Sequence, residues 1–270
     1  MRRGWTLIEV VTVVAILSML MVVLLPTLAQ TQRQSMHLQC DAHLRQLARA
    51  ATLHTTERAG MFPPGLLYGT DHDATSGDVR CWDWWRRPDG GLRPGPLWQY
   101  TDVTDPSQVL RCPLAETTDP TWAGDPVTGY NYNVAFVAAE SGSVSGAAPG
   151  MGAWDLVTPK ANLDGLGWLT RSQCRRAGDT ALFGMGGRLG GVNKFMRSPV
   201  NTGGYDVAYG GGQAFSDGRT HVGWIDGHVS SRRHPFQGQH WDDLPDWLTS
   251  NLDWPRNGFL SSNALAYDPR

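Results

Sequence analysis

The sequence predicts an α+β protein in which a long N-terminal helix packs on an antiparallel β-sheet head. Three observations predict it. An almost unbroken apolar run opens the chain, Trp5 to Leu25, and an amphipathic stretch free of Gly and Pro, Leu28 to Ala59, follows it. The remainder shares 32 Gly, 17 Pro and 12 Trp with these segments, a composition of turns, short strands and aromatic anchors rather than of a helical bundle. At 270 residues, one globular body with an appendage is the expected size class. The 41% of hydrophobic residues suffices for a core. The near balance of 23 basic and 25 acidic residues gives no general attraction for nucleic acid or anionic lipid.

Residues 5–25 have the length of a helix that spans a bilayer, about 20 residues. Arg2 and Arg3 precede the run and no Lys or Arg follows until Arg33, so charge asymmetry predicts a cytoplasmic N-terminus and a head outside the cytoplasm. A cleaved secretory signal, with Thr27-Leu28-Ala29 as its processing site, would normally have a shorter apolar core and no acid in it. An ordinary anchor leaves Glu9 unexplained, because a carboxylate at the centre of a membrane helix costs about 2.5–3.5 kcal/mol and tends to find a partner.

The continuation, residues 26–60, places Cys40, Leu44, Leu47, Ala48 and Ala51 at i, i+4, i+7, i+8 and i+11, one apolar face. Thr31, Arg33, Asp41, Arg45 and Arg49 fall on the remainder and are expected in solvent. Pro26 is a point for a bend. Ala59-Gly60 ends the helix, and Phe62-Pro63-Pro64-Gly65 turns the chain into a head spanning 61–270, with a Trp-rich insert at 66–107.

Gly4-Trp5-Thr6-Leu7-Ile8-Glu9 resembles the class III leader of type IV prepilins and type II secretion pseudopilins, with Trp5 standing where that family has Phe. The resemblance implies a pilin-like fold, removal of residues 1–4 by a prepilin peptidase between Gly4 and Trp5, and methylation of the new amine. It also implies Glu9 as an assembly group that neutralises the ammonium of a neighbouring subunit. The implied partners are like subunits, membrane lipid, and the inner-membrane platform protein and assembly ATPase of a secretion or pilus machine. The implied place is the inner membrane, as a single-pass subunit of a pseudopilus or pilus-like fibre.

Cys40-x-x-x-Leu44-x-Gln46, Phe62-Pro63-Pro64, Cys112-Pro113 and Asp226-Gly227 are similar to a subgroup of these proteins that carries a C-terminal His, nine residues and Asp-Gly. Ser216 occupies the position of that His, so no role of it carries over.

Asp226-Gly227 between apolar runs predicts a hairpin with a two-residue type I′ turn. Ile225 would then face His228, with His221 on the same side roughly 13 Å away at about 3.3 Å per residue. One zinc ion could not bind both histidines, and no metal or cofactor is expected. For calcium, the acids Asp71, Asp73 and Asp78, or Asp217 and Asp226, lack regular ligand spacing.

Four cysteines allow three pairings. Cys81 and Cys112 bracket much of the insert and make a plausible clasp, while Cys40 can be a buried thiol on the helix face. The glycine clusters at 184–187 and 209–212 lack the spacing and Lys of a phosphate loop, and no nucleophile elbow is present, so catalysis is not expected. An alternative function is a monomeric, membrane-anchored protein that binds an envelope or extracellular polysaccharide through Trp82, Trp84 and Trp85. In the tail, Pro245 suits the first turn of a short helix to Leu252.

Overall fold

The computed structural model describes residues 6–68, 79–101, 110–115, 128–137, 140–141, 170–199, 212–237 and 252–270. Gly4 and Trp5, the acids Asp71, Asp73 and Asp78, and nearly all of the expected Pro245 to Leu252 helix lie outside them.

One helix, α1, runs from Leu7 to Glu57. Thr6 caps it: the Thr6 hydroxyl accepts from the Glu9 amide at 3.4 Å, and the Glu9 carboxylate accepts from the Thr6 amide at 2.8 Å. Pro26 sits inside the helix without ending it. The end comes where Ala59 (φ 52°) and Gly60 (φ 84°) turn left-handed and the Gly60 amide reaches back to the Thr55 carbonyl at 2.7 Å.

At 1.5 Å per residue the helix is about 77 Å long. Every residue from Thr6 to Met36 is exposed, and burial begins at His37. The bare portion is about 45 Å long, close to the thickness of a bilayer with its headgroups. α1 is long and apolar enough to cross a membrane, and no residue of its most apolar stretch is buried by the protein.

Among the described residues, the head contains two five-stranded sheets. Strands β1 (Leu66–Tyr68), β2 (Val79–Cys81), β3 (Trp84–Arg86), β4 (Leu92–Pro94) and β6 (Glu140–Ser141) form the first, in the order β4-β3-β2-β1-β6. β5 (Tyr130–Asn133), β7 (Ala181–Met185), β8 (Phe195–Met196), β10 (Thr220–Trp224) and β11 (Val229–Arg232) form the second, in the order β11-β10-β7-β5-β8. β9 (Gln213–Ala214) pairs with β12 (Asn257–Gly258). The architecture is α+β as the sequence predicts, except that each large sheet is mixed: β1–β6 and β5–β8 are parallel edge pairs. Two-residue edge strands contribute too short a sequence pattern to announce their direction.

The spine lies across the second sheet, and its buried face supplies Cys40, Leu44, Leu47, Ala48 and Ala51 to the core, as the helical periodicity requires. Trp82 and Trp84 of the insert are core residues too, with Trp82 packed 5.4 Å from Phe183 between ring centroids. Beneath the other side of the second sheet a smaller cluster forms around Trp224, Leu252, Phe259 and Tyr267. Asn133 anchors the C-terminal segment there, donating to the Ala181 carbonyl at 2.7 Å and the Tyr267 carbonyl at 2.9 Å.

The hairpin forms at Asp226-Gly227 with a different turn. Gly223 pairs with Val229 and Val222 with Ser230, the Trp224 amide bonds the His228 carbonyl, and the Gly227 amide bonds the Trp224 carbonyl. Of the two turn residues, Gly227 has positive φ (97°) and Asp226 does not. The connection is a type I turn followed by a glycine bulge, a three-residue loop in place of the expected type I′ pair. The added residue shifts the register by one, which moves His228 to the face opposite His221. His228 stacks on Trp224 at 5.6 Å, while His221 turns toward the spine.

Candidate functional site: the spine and its seat

Where α1 enters the head, three helix positions one turn apart, Arg33, His37 and Asp41, meet the start of the β10 hairpin. Arg33 bonds one oxygen of Asp217 at 3.3 Å, and His37 Nε2 approaches the other at 3.4 Å. His37 Nδ1 and His221 Nε2 share a buried 2.8 Å contact, and His221 Nδ1 meets the Asp41 carboxylate at 2.6 Å. Asp217 is presented by a tight turn in which it and Gly218 both have positive φ, 51° and 70°.

The result is a continuous chain, Arg33–Asp217–His37–His221–Asp41, that joins spine to head through side chains. Its proton accounting is constrained. Asp41 requires a hydrogen on His221 Nδ1, which leaves His221 Nε2 to accept from His37 Nδ1. Protonating both imidazoles fully would set two N–H groups against each other in the 2.8 Å contact. Burial holds the His221 pKa below the ordinary histidine value, assisted by repulsion from His37 and opposed by the Asp41 carboxylate.

One turn further along the helix Cys40, His43 and Leu44 face the segment 110–115 and strands β5 and β10. His43 Nδ1 lies 3.0 Å from the Tyr130 hydroxyl. The Cys40 and Cys112 thiols, both free in this structure, are neighbours in the core, with Tyr130 beside both. Burial raises the Tyr130 pKa strongly and lowers that of His43.

Leu44 packs where β10 carries Gly223. A Cβ on that glycine would stand 3.3 Å from the Leu44 carbonyl oxygen, so the missing side chain lets helix and strand approach closely. At the far end His54 Nδ1 bonds the Met61 carbonyl at 3.1 Å and closes the turn out of the spine.

The sequence-predicted residues are thus distributed unevenly. Glu9 is exposed on the bare half of the spine, where its carboxylate caps its own helix through Thr6. Cys112 neighbours Cys40, Cys81 lies in β2 of the same core, and all of these cysteines are free thiols in this structure. Asp217 and Asp226 stand at opposite ends of β10 and do not converge: Asp226 bonds the His228 imidazole at 2.7 Å. Ser216 closes the turn with Arg219. Trp82 and Trp84 present no open ring face, and Trp85 is half-buried under the Arg80 guanidinium at 4.7 Å.

His37 and the partner role of His221 escaped the sequence reading. The usable signal was helical spacing: His37 continues the stripe of Cys40, Leu44, Leu47 and Ala51 back by one turn. No protein-family model, curated protein or solved structure matches the chain.

Proposed function

We propose that the chain is a pilin-like structural subunit, cut between Gly4 and Trp5 by a prepilin peptidase, methylated on the new amine, and drawn from the inner membrane into a pseudopilus or type IV pilus-like fibre by a platform protein and an assembly ATPase. The observation that carries this reading is the division of one unbroken helix. From Thr6 to Met36 it is exposed and apolar over most of its length, bonded to the head at Arg33 near its end, while from His37 to Thr55 one stripe of it is head core. A continuous apolar surface of that extent needs a cover, which a bilayer supplies before assembly and neighbouring spines supply after it. Glu9 suits both states: its capping of Thr6 lowers the cost of the carboxylate in lipid, and it stays on the surface within reach of another subunit's ammonium.

N-terminal sequencing with intact mass of the membrane-extracted protein tests processing, and Glu9→Ala tests assembly. The expected product begins at methylated Trp5, and the Glu9→Ala chain is processed but stays out of sheared fibres. Retention of Met1 to Gly4, or a chain beginning at Gln30 after signal cleavage, overturns the reading.

A further inference from the structure

We propose that Cys40 and Cys112 are joined by a disulfide that bolts the head to the membrane-proximal turn of its spine. The two cysteines are side-chain neighbours in one buried cluster, and the elements that carry them are tied together on both sides. The spine presents Cys40, fully buried, on the stripe it shares with Leu44. His43, nearly one turn past Cys40, lies 3.0 Å from the Tyr130 hydroxyl, and Tyr130 directly follows the Thr128–Gly129 backbone against which Cys112 rests, so helix and segment are in register at neighbouring positions.

Behind Cys112, its amide bonds the Thr128 carbonyl at 2.7 Å. Gly129, at φ 74°, leaves no room for a Cβ, which would stand 3.1 Å from the Cys112 Cβ. Cys112 itself is 1% exposed. Cys112 also lines an open cavity of about 210 Å³ on the side away from the spine.

Oxidation follows ordinary exchange. One of the two sulfurs attacks the disulfide of an oxidant, either a thiol–disulfide oxidoreductase or oxidised glutathione, and releases one thiol from it. The second sulfur, as thiolate, attacks the mixed disulfide, closes the Cys40–Cys112 bond and releases the remaining thiol. Two protons and two electrons leave the cysteine pair, and the oxidant's disulfide becomes a dithiol or two thiols. For its oxidising compartment the inference rests on the reading of a head outside the cytoplasm.

The test equilibrates the full chain in detergent with oxidised glutathione, alkylates it without reductant, and maps tryptic peptides. The expected result is a reducible crosslink between the peptide carrying Cys40 and that carrying Cys112, formed at glutathione ratios that leave Cys40→Ser uncrosslinked at Cys112. Oxidation should also raise the Tm of the wild-type chain by several degrees and leave that of Cys40→Ser unmoved. Free, alkylated Cys40 and Cys112 under those conditions, or Cys112 crosslinked to Cys81 or Cys174, overturns the inference. A crosslink in a chain that keeps Met1 to Gly4 would instead sink the pilin reading and leave the disulfide standing, since the peptide map does not depend on processing.

Discussion

Gly223→Val is expected to unseat the spine, and its cost follows from which atoms oppose the new side chain. A Cβ at 223 meets the Leu44 carbonyl oxygen at 3.3 Å and the Leu44 Cβ at 3.6 Å. Alanine asks the helix to yield by a few tenths of an ångström, and its gain over glycine in a strand, roughly 0.5–1 kcal/mol, offsets most of that strain. Valine adds two methyl groups beyond the Cβ in a crowded interface, so Gly223→Val should destabilise by about 1–3 kcal/mol. The obstacle is backbone oxygen and a Cβ, both of which survive truncation of Leu44 to Ala. Leu44→Ala should therefore cost its own roughly 2–5 kcal/mol as a fully buried leucine, and the double variant should show no rescue. Urea unfolding of the detergent-solubilised chain, followed by tryptophan fluorescence, reports all four proteins. A Gly223→Val midpoint equal to wild type, or a Leu44→Ala background that restores it, would refute the close-approach argument.

Acidification should weaken the head. Burial lowers the pKa of His43, His54 and His221, so below about pH 6.5 the unfolded chain takes up protons that the folded chain refuses; stability is full above that pH and falls as pH drops. A thermal midpoint unchanged between pH 7.5 and 5 would contradict this. Lys194→Met should cost about 3–5 kcal/mol because it strands the fully buried Asp83 carboxylate, and adding Asp83→Leu should recover most of it; an equally unstable double variant would show that packing, not charge, is responsible. Ala59→Gly should stabilise the helix end by up to ~1 kcal/mol, since Ala59 sits at φ 52°, and a lower Tm would count against the helix-stop geometry.

The spine was legible because its signals are local: an apolar run, a seven-residue rhythm and a Gly-Met-Phe-Pro-Pro exit each state their meaning within a few residues. The hairpin shows the limit of local signals. Asp-Gly suits both a type I′ turn and a type I turn with a glycine bulge, and the choice depends on distant partners: the Ile225 amide bonds the Thr180 carbonyl and the Asp226 amide that of Ala177. One residue of register then decided which histidine faces the helix. The pairing of His37 with His221, and of Cys40 with Cys112, is tertiary in the same sense. The helical period places His37 and Cys40 on the buried stripe but cannot say which loop of the head will arrive opposite them. Trp82 and Trp84 show the converse, since tryptophans in a polar, arginine-flanked segment were as compatible with an open binding face as with the core they occupy.

The order of contacts along the seat has a mechanical consequence. Any axial pull on the bare half of α1 reaches the head first at Arg33, His37, Cys40 and Asp41, before it reaches Leu47, Ala51 or His54. Apolar burial resists separation in proportion to area and is non-directional, so it tolerates a small axial shift better than a hydrogen bond does. Directional groups cannot slide in this way: the His37–His221 contact and the Arg33–Asp217 pair are lost within about 1 Å of translation. The polar chain therefore fixes axial register where load enters, and the leucine stripe beyond it supplies adhesion. If that division of labour holds, His221→Ala should leave the head bound to the spine yet loosen its register. Hydrogen exchange reads the difference: faster exchange at residues 37–44 with residues 47–55 unchanged is expected, and uniform exchange along the seat would show that the packing alone sets the register.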